Sequence, residues 1–257
     1  MGKPNVAVIG AGWVGKSMIQ MFPGAYVYDP ALGYGEKKGV NEKEIAFICV
    51  PSPVIGKGKL DISIVEEVVS WCECPLIVMR STVNPGTCDY LINKYKRNIV
   101  FQPEYLGESP AHPMLDPKTR HFLIIGGKKE NRHQLLELYF RNVYNANVLV
   151  RQVTNLEAEV IKLSENRAIA WKIVEIQELI DVCKKAGIDY YNIRDAVYSD
   201  DPRFNLWWTA DHGEKKGFNS KCLPKDVYAW SAWAESLGYD PVITRTILNK
   251  NKEWVNE

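Results

Sequence analysis

Val6-Ala7-Val8-Ile9-Gly10-Ala11-Gly12-Trp13-Val14-Gly15 places four apolar residues directly before a GxGxxG turn. No other stretch constrains the fold as tightly. The first glycine permits a tight strand-to-helix turn, the second leaves room for a phosphate against the backbone, and the third lets the helix expected over Lys16 to Phe22 pack close to its strand. The free N–H groups of that helix then face the phosphate charge. A second apolar run, Ala25 to Tyr28, ends in Asp29, 19 positions after Gly10. A carboxylate there accepts hydrogen bonds from ribose hydroxyls and repels a 2′-phosphate. Together these features predict a dinucleotide site that takes NAD rather than NADP, with Gly10, Gly12, Trp13, Val14 and Gly15 at the pyrophosphate and Asp29 at the ribose.

Further apolar runs follow at Ala46 to Val50, Leu76 to Val78, Ile99 to Phe101, Phe122 to Ile125 and Asn147 to Leu149. Unalternating runs of this length, with crossover segments between them, belong to a parallel sheet covered on both faces. From about residue 154 the texture changes. Glu157 to Ala186 holds no proline or glycine and carries apolar residues at helical spacing, which predicts one long helix ended by Gly187. The expected fold class is α/β: a Rossmann-type parallel-sheet NAD-binding domain over 1–150, then an all-helical central domain over 151–257.

With 46% hydrophobic and 25% charged residues among 257, the chain can bury a sizeable core. A net charge of +1 with both signs interspersed argues against nucleic-acid or anionic-membrane binding, and no run reaches the roughly 20 apolar residues of a membrane span. A cytoplasmic protein is expected. Cys49, Cys72, Cys74, Cys88, Cys183 and Cys222 lie scattered without metal-ligand spacing, so neither a metal site nor a disulfide framework is expected.

Open parallel sheets bind ligands beyond the carboxyl ends of their strands. Val50-Pro51-Ser52 after the third strand and Ser81-Thr82 after the fourth are therefore expected to face the cofactor, although proline and glycine nearby would serve turns equally well. Lys162 and Asn166, four apart on the long helix, share one face and can point together into a cleft, although taken alone they are a common solvated pair. Late in the chain, Lys221-Cys222-Leu223-Pro224-Lys225-Asp226 sets a cysteine before a helix that Pro224 suits as first residue. Unpaired N–H groups at a helix N-terminus, with Lys221 and Lys225, favour a thiolate and hence a reactive cysteine, the alternative being a small buried residue.

GAGWVG, CVPSP, RSTVNPGT, PEYLGE, EAEVIKLSEN, the Asp201-Pro202-Arg203 segment and GF-x-x-x-CLPKD run in this order over nearly the whole chain. In these motifs the sequence resembles the UDP-glucose/GDP-mannose dehydrogenase family, NAD-dependent enzymes that oxidise the C6 alcohol of a sugar nucleotide to a carboxylate. The resemblance implies that Cys222 is the nucleophile that traps the C6 aldehyde and carries the thioester. It implies Lys162 as the charge beside the oxyanion, and Asn166 with Asp226 as the pair that holds the exchanging water or hydroxyl. Glu104 matches the base for thioester hydrolysis, Thr82 the threonine that orients water, and Glu108 a second glutamate near cofactor and substrate. By the same likeness Lys225 lies near the cofactor, and Leu106 and Phe218 join Glu104, Lys162 and Asn166 around the nucleotide-sugar substrate. Arg203 matches an arginine that reaches the sugar nucleotide of a neighbouring subunit, so a homodimer through the helical domain is expected.

Two features depart from the family. Asn219 and Ser220 stand where it has two glycines before the cysteine, which bears on sugar positioning because glycine permits φ > 0 or close backbone approach. The family also continues past its central helix into a second Rossmann-like domain for the nucleotide. The chain is expected to be a minimal form without that domain, acting alone or receiving it from a separate chain. Trp207, Trp208, Trp230, Trp233 and Trp254 concentrate in the helical part, either as core or as a docking surface. Two other functions stay open. One is a two-electron dehydrogenase of the 3-hydroxy-acid or 6-phosphogluconate type, which shares the NAD domain, the long helix and a Lys-x-x-x-Asn pair but needs no cysteine. The other is an NAD-binding relative without turnover.

Overall fold

The computed structural model describes residues 5–56, 58–105, 116–205, 209–211, 213 and 215–255. Its first strand, β1 (Val6–Ile9), is buried at every residue, as a run without polar alternation requires. There follow α1 (Trp13–Met21), β2 (Tyr26–Tyr28), α2 (Lys37–Asn41), β3 (Ile45–Ile48), the two-residue strands β4 (Val54–Ile55) and β5 (Lys59–Leu60), α3 (Ser63–Trp71), β6 (Leu76–Met79), α4 (Thr87–Tyr95) and β7 (Ile99–Phe101). Five strands form one sheet in the order β2-β1-β3-β6-β7, every neighbouring pair parallel. Alternate residues feed opposite faces. Ala7, Ile9, Ala46, Ile48, Ile77 and Met79 enter one apolar cluster, while Val6, Val8, Ile45, Phe47, Leu76 and Val78 enter another.

From β1 the chain steps to one side for β2 and returns to the other for β3. That reversal is the topological switch point at which open α/β sheets bind ligands. Ile9 pairs with Tyr28 on one side and Ile48 on the other, so the chain leaves all three strands at one level, at Gly10, Asp29 and Cys49.

A separate two-stranded parallel sheet joins β8 (Phe122–Gly126) to β9 (Leu149–Val153), with α5 (Lys129–Asn142) between them in sequence. The strand expected over Asn147 to Leu149 thus starts where it was expected to end. In β9, Leu149, Arg151 and Gln152 are exposed, and a strand with one neighbour tolerates the polar residues that end an apolar run.

The long helix α6 runs Asn155–Ala186, two residues longer at its start than the pattern suggested. Thr154 and Glu157 form a reciprocal capping box. The Thr154 N–H donates to Glu157 Oε2 at 2.7 Å, and the Glu157 N–H donates to Thr154 Oγ1 at 3.2 Å. Gly187, at φ +68°, ends the helix, and the Ile188 N–H reaches back to the Cys183 carbonyl at 3.0 Å. Asn155 works as a strand substitute: its Oδ1 accepts the Phe101 N–H at 2.8 Å, and its Nδ2 donates to the Ile99 carbonyl at 3.2 Å.

The chain divides into two compact units, Met1–Ile55 with Leu60–Lys162, and Gly56–Lys59 with Leu163–Glu257. The second is helical. After α6 come α7 (Tyr190–Arg194), a single π turn at Asp195–Ser199, α8 (Leu223–Ser236) and α9 (Val242–Val255). Trp254 is buried there and donates to Asp181 at 3.2 Å, and half-buried Trp230 donates to Ser164 at 3.1 Å. Trp207 and Trp208 lie outside the described residues. No described helix is long and apolar enough to cross a membrane.

Candidate active site

In the first unit, Gly12 immediately precedes α1, with no side chain capping the helix's first N–H groups. A Cβ on Gly10, whose φ is +88°, would stand 2.8 Å from the Cys49 carbonyl oxygen, and one on Gly15 would stand 1.8 Å from that of Gly10. Beside Gly12, by contrast, nothing lies within 4 Å of where a Cβ would be. The uncapped helix end opens onto free space bounded by glycine backbone, which fits a pyrophosphate. Half-exposed Trp13 flanks it on the first turn, with Val14 beside it.

Asp29 does more than its position in the sequence suggested. Its Oδ2 accepts the Ala11 N–H at 2.8 Å, and its Oδ1 accepts those of Ala31 at 3.1 Å and Leu32 at 3.3 Å. A carboxylate offers about four acceptor positions, so roughly one is left for a ribose hydroxyl. The same side chain locks the glycine turn to the end of β2. Nearby, Ser81 Oγ donates to the Val50 carbonyl at 2.7 Å and Ser52 Oγ to the Thr82 carbonyl. The segments after β3 and β6 are thereby stitched together, with exposed Pro51 between their bonded residues.

Glu104 sits in a buried ion network. Its Oε2 accepts from Ser17 Oγ at 3.0 Å and from Arg80, and its Oε1 from the Tyr105 N–H at 2.7 Å and from Arg120. Arg80 also donates to the carbonyls of Gln102 at 2.8 Å and Pro103 at 3.0 Å. All three charged groups are buried. A carboxylate so engaged is an electrostatic anchor, and to accept a proton from water it must release one of these donors. Lys162 is buried in this unit too, with its Nζ 5.2 Å from the centre of the Tyr105 ring. Leu106 and Glu108 lie outside the described residues.

Sequence reasoning passed over Glu159, which stands three residues before Lys162. Its carboxylate accepts the N–H groups of Gly86 at 2.6 Å and Cys88 at 2.8 Å, at the otherwise uncapped N-terminus of α4. One long-helix side chain thus caps the helix that follows the Ser81-Thr82 turn. Burial pushes its carboxyl up to about 7, against the lowering pull of those two N–H bonds. The signal available was an acidic residue on the apolar side of a helix, beside Ala158 and Lys162. Arg80 and Arg120 also went unassigned, although Arg80 directly follows an apolar strand.

In the second unit, half-buried Cys222 immediately precedes α8, is in no disulfide, and takes no side-chain cap role. Pro224 is the second helical residue, one place later than expected. Asp226 is fully buried (0% exposed) one turn on, and its N–H bonds the Cys222 carbonyl at 3.0 Å. Asn166 donates directly to Asp226 Oδ2, and Lys225 pairs with Oδ1. The structure therefore brings Asn166 of α6 to Asp226 and Lys225 on the first turn of the cysteine's helix. Lys225, expected at the cofactor, is held here by Asp226.

Asn219 and Ser220 fit the loop without glycine's freedom, because the only non-glycine with positive φ among the described residues is Lys96. Ser220 Oγ instead accepts the Leu223 N–H at 3.1 Å and braces the start of α8. Phe218, expected at the substrate, has its ring in an apolar cluster with Ala170, Val227, Ile247 and Leu248 at 3% exposure, the place of an anchor. Arg203 is exposed and paired with Asp201. Among the described residues no group of histidine, cysteine and acidic side chains could hold a metal ion.

Residues 34–144 match the NAD binding domain of the UDP-glucose/GDP-mannose dehydrogenase family, and residues 156–253 match its central domain. The chain belongs to that family. A UDP-glucose 6-dehydrogenase of Rickettsia bellii is 32% identical over 224 residues, covering 82% of this chain and 49% of the relative. A GDP-mannose 6-dehydrogenase of Pseudomonas aeruginosa is 28% identical over 244 residues, covering 86% of this chain and 53% of the relative. The chain thus spans about half the length of the curated relatives it matches. Its fold is that of a UDP-glucose dehydrogenase from Pyrobaculum islandicum, with a TM-score of 0.83 over 98% of this chain and 68% of the other at 22% identity. The matched NAD binding domain of the UDP-glucose/GDP-mannose dehydrogenase family, together with the open α1 terminus ahead of it, makes NAD the cofactor of the first unit.

Proposed function

We propose that this member of the UDP-glucose/GDP-mannose dehydrogenase family oxidises the C6 alcohol of a nucleotide sugar to the carboxylate through covalent attachment to Cys222. The observation that carries the proposal is the buried Asn166–Asp226 pair, joined by half-buried Lys225, at the helical turn that Cys222 precedes. A two-electron alcohol dehydrogenase has no use for a thiol there. The relatives supply the substrate class by their names, one acting on UDP-glucose and one on GDP-mannose.

NAD, when bound, supplies the hydride acceptor for both oxidations, one cofactor for each. Gly10, Gly12, Trp13, Val14 and Gly15 hold its pyrophosphate, Asp29 its ribose, and the Val50–Ser52 and Ser81–Thr82 segments complete the cradle. The Asn166–Asp226 pair positions the C6 hydroxyl and takes its proton. Cys222 Sγ then bonds to C6 of the aldehyde as the carbonyl pair moves to oxygen, where Lys162 supplies the balancing charge. Loss of hydride from this thiohemiacetal restores the C=O as a thioester. Water, oriented by Thr82 and deprotonated by Glu104 once one of its donors lets go, attacks C6. The C6–S bond breaks, leaving the acid and the free thiol.

Product analysis tests this. Given NAD and a panel of UDP- and GDP-sugars, the protein should yield an acid 14 mass units above one of the sugars (two hydrogens exchanged for one oxygen, on the order of the thioester hydrolysis chemistry). Cys222→Ser should yield no acid while still binding NAD. Acid formation undiminished in Cys222→Ser would refute the covalent route.

A further inference from the structure

Asn251 lies on the buried face of α9 with Thr244, Ile247, Leu248 and Trp254, where helical periodicity calls for an apolar residue. Its amide serves one residue of the loop before Cys222. Asn251 Oδ1 accepts the Phe218 N–H at 2.7 Å, and Nδ2 donates to the Phe218 carbonyl at 2.9 Å. It thus satisfies both backbone groups of Phe218, as a neighbouring strand would, at 7% exposure. Gly217 completes the fit. Its φ is +66°, and a Cβ there would stand 2.4 Å from Asn251 Oδ1. The Phe218 ring holds the same point, in the cluster with Ile247 and Leu248.

Four residues later comes Cys222. Between the Phe218 clamp and the Ser220–Leu223 bond, only Asn219, Ser220 and Lys221 face solvent, so both ends of this short span are tied. We infer that Asn251 is a positioning residue for the nucleophile: its bidentate grip on Phe218 fixes the segment that places Cys222 at the N-terminus of α8. The amide touches no reacting atom. It acts through the backbone, and its complementarity to Gly217 makes the two positions one device. The inference rests on the reading of Cys222 as nucleophile only for its effect on turnover, while its effect on the thiol can be read without substrate.

The test is the pH profile of Cys222 alkylation by iodoacetamide in the folded protein, followed by peptide mass spectrometry so that the other cysteines are scored separately. Releasing the clamp in Asn251→Leu should move the profile's midpoint upward by half a pH unit or more, and slow alkylation at pH 7 about 3-fold or more, as the thiol loses its fixed place near the helix N–H groups. Asn251→Asp keeps an acceptor for the Phe218 N–H and loses the donor, so its profile should fall between the two. Gly217→Ala, from the opposite side of the contact, should reproduce the leucine variant, and it carries the test should Asn251→Leu fail to fold. A role confined to stability would lower the melting temperature and leave the alkylation profile superimposable on wild type. That result in a cooperatively melting Asn251→Leu or Gly217→Ala protein would overturn the inference. A shifted profile in a protein that forms no acid from any sugar nucleotide would uphold the inference and count against the proposed function instead.

Discussion

Asp226 has no exposed surface, and its two oxygens are taken by Asn166 and Lys225. Asp226→Asn keeps the volume but sets an amide N–H₂ against one of two donors, and it removes the proposed proton acceptor. The expected fall in kcat is about 10²–10⁴-fold with little change in NAD affinity, read by steady-state kinetics beside an NAD titration. Lys162→Ala should cost about 10²–10³-fold in kcat, the range for losing one group that stabilises a developing oxyanion. Glu104 makes a different kind of prediction, because removing its charge leaves Arg80 and Arg120 buried without a counter-ion. Glu104→Gln should lose about 3–5 kcal/mol of stability in urea, beyond any effect on hydrolysis, and a variant as stable as wild type would show that the ion network is not the anchor described above. At this scale the sequence showed what local spacing shows. Asn166 is one helical turn from Lys162, and Asp226 one turn from Cys222. It did not show that Arg120 closes on Glu104, since that contact spans 16 residues and depends on how the chain returns to β8. Phe218 shows a related limit: a motif gives a side chain's neighbours in sequence, while only the fold shows that its ring is buried in an apolar cluster.

Among elements, the joint between α6 and the start of α4 depends on Glu159, and its stability should depend on pH. The folded carboxyl titrates near 7, above its ordinary value of 4.5, so between those limits the native state holds a proton that the unfolded chain has released. The stabilisation tied to that proton is complete below about 4.5 and is lost as pH rises through about 7, by up to about 3 kcal/mol. Urea unfolding at pH 5 and pH 8 should therefore show wild type losing stability relative to Glu159→Gln, and a pH-independent difference would contradict the assignment. Element types were legible from period and punctuation: unalternating runs became strands, most of them buried, and a glycine ended the long helix. Boundaries were less so. The start of α6 was written as Thr154-x-x-Glu157, a capping box that apolar periodicity alone overlooks, and β9 ran past its apolar run because only one side of it is paired.

At the scale of the molecule, the two units assign separate tasks: the parallel sheet carries the dinucleotide cradle, and the helical unit carries the cysteine and its buried acid–amide pair. The proposed homodimer would present exposed Arg203 to a neighbouring active site. Sedimentation should then give twice the 29.3 kDa chain mass, and mixing Arg203→Ala with Cys222→Ser protein should give activity that departs from the sum of the two alone. The glycine turn, the acidic residue after β2 and the cysteine before α8 were all readable in the sequence because each is local. The NAD half of the reading was therefore clearer from the start than the proposed sugar chemistry, whose Asn166–Asp226 contact spans 60 residues. The central claim is that one cysteine joins two successive oxidations at C6, and the most direct measurement is NADH formed per sugar consumed. Roughly two NADH per sugar, with no acid from Cys222→Ser, is the predicted result. Roughly one NADH per sugar with release of an aldehyde, or none from any UDP- or GDP-sugar despite NAD binding, would contradict it.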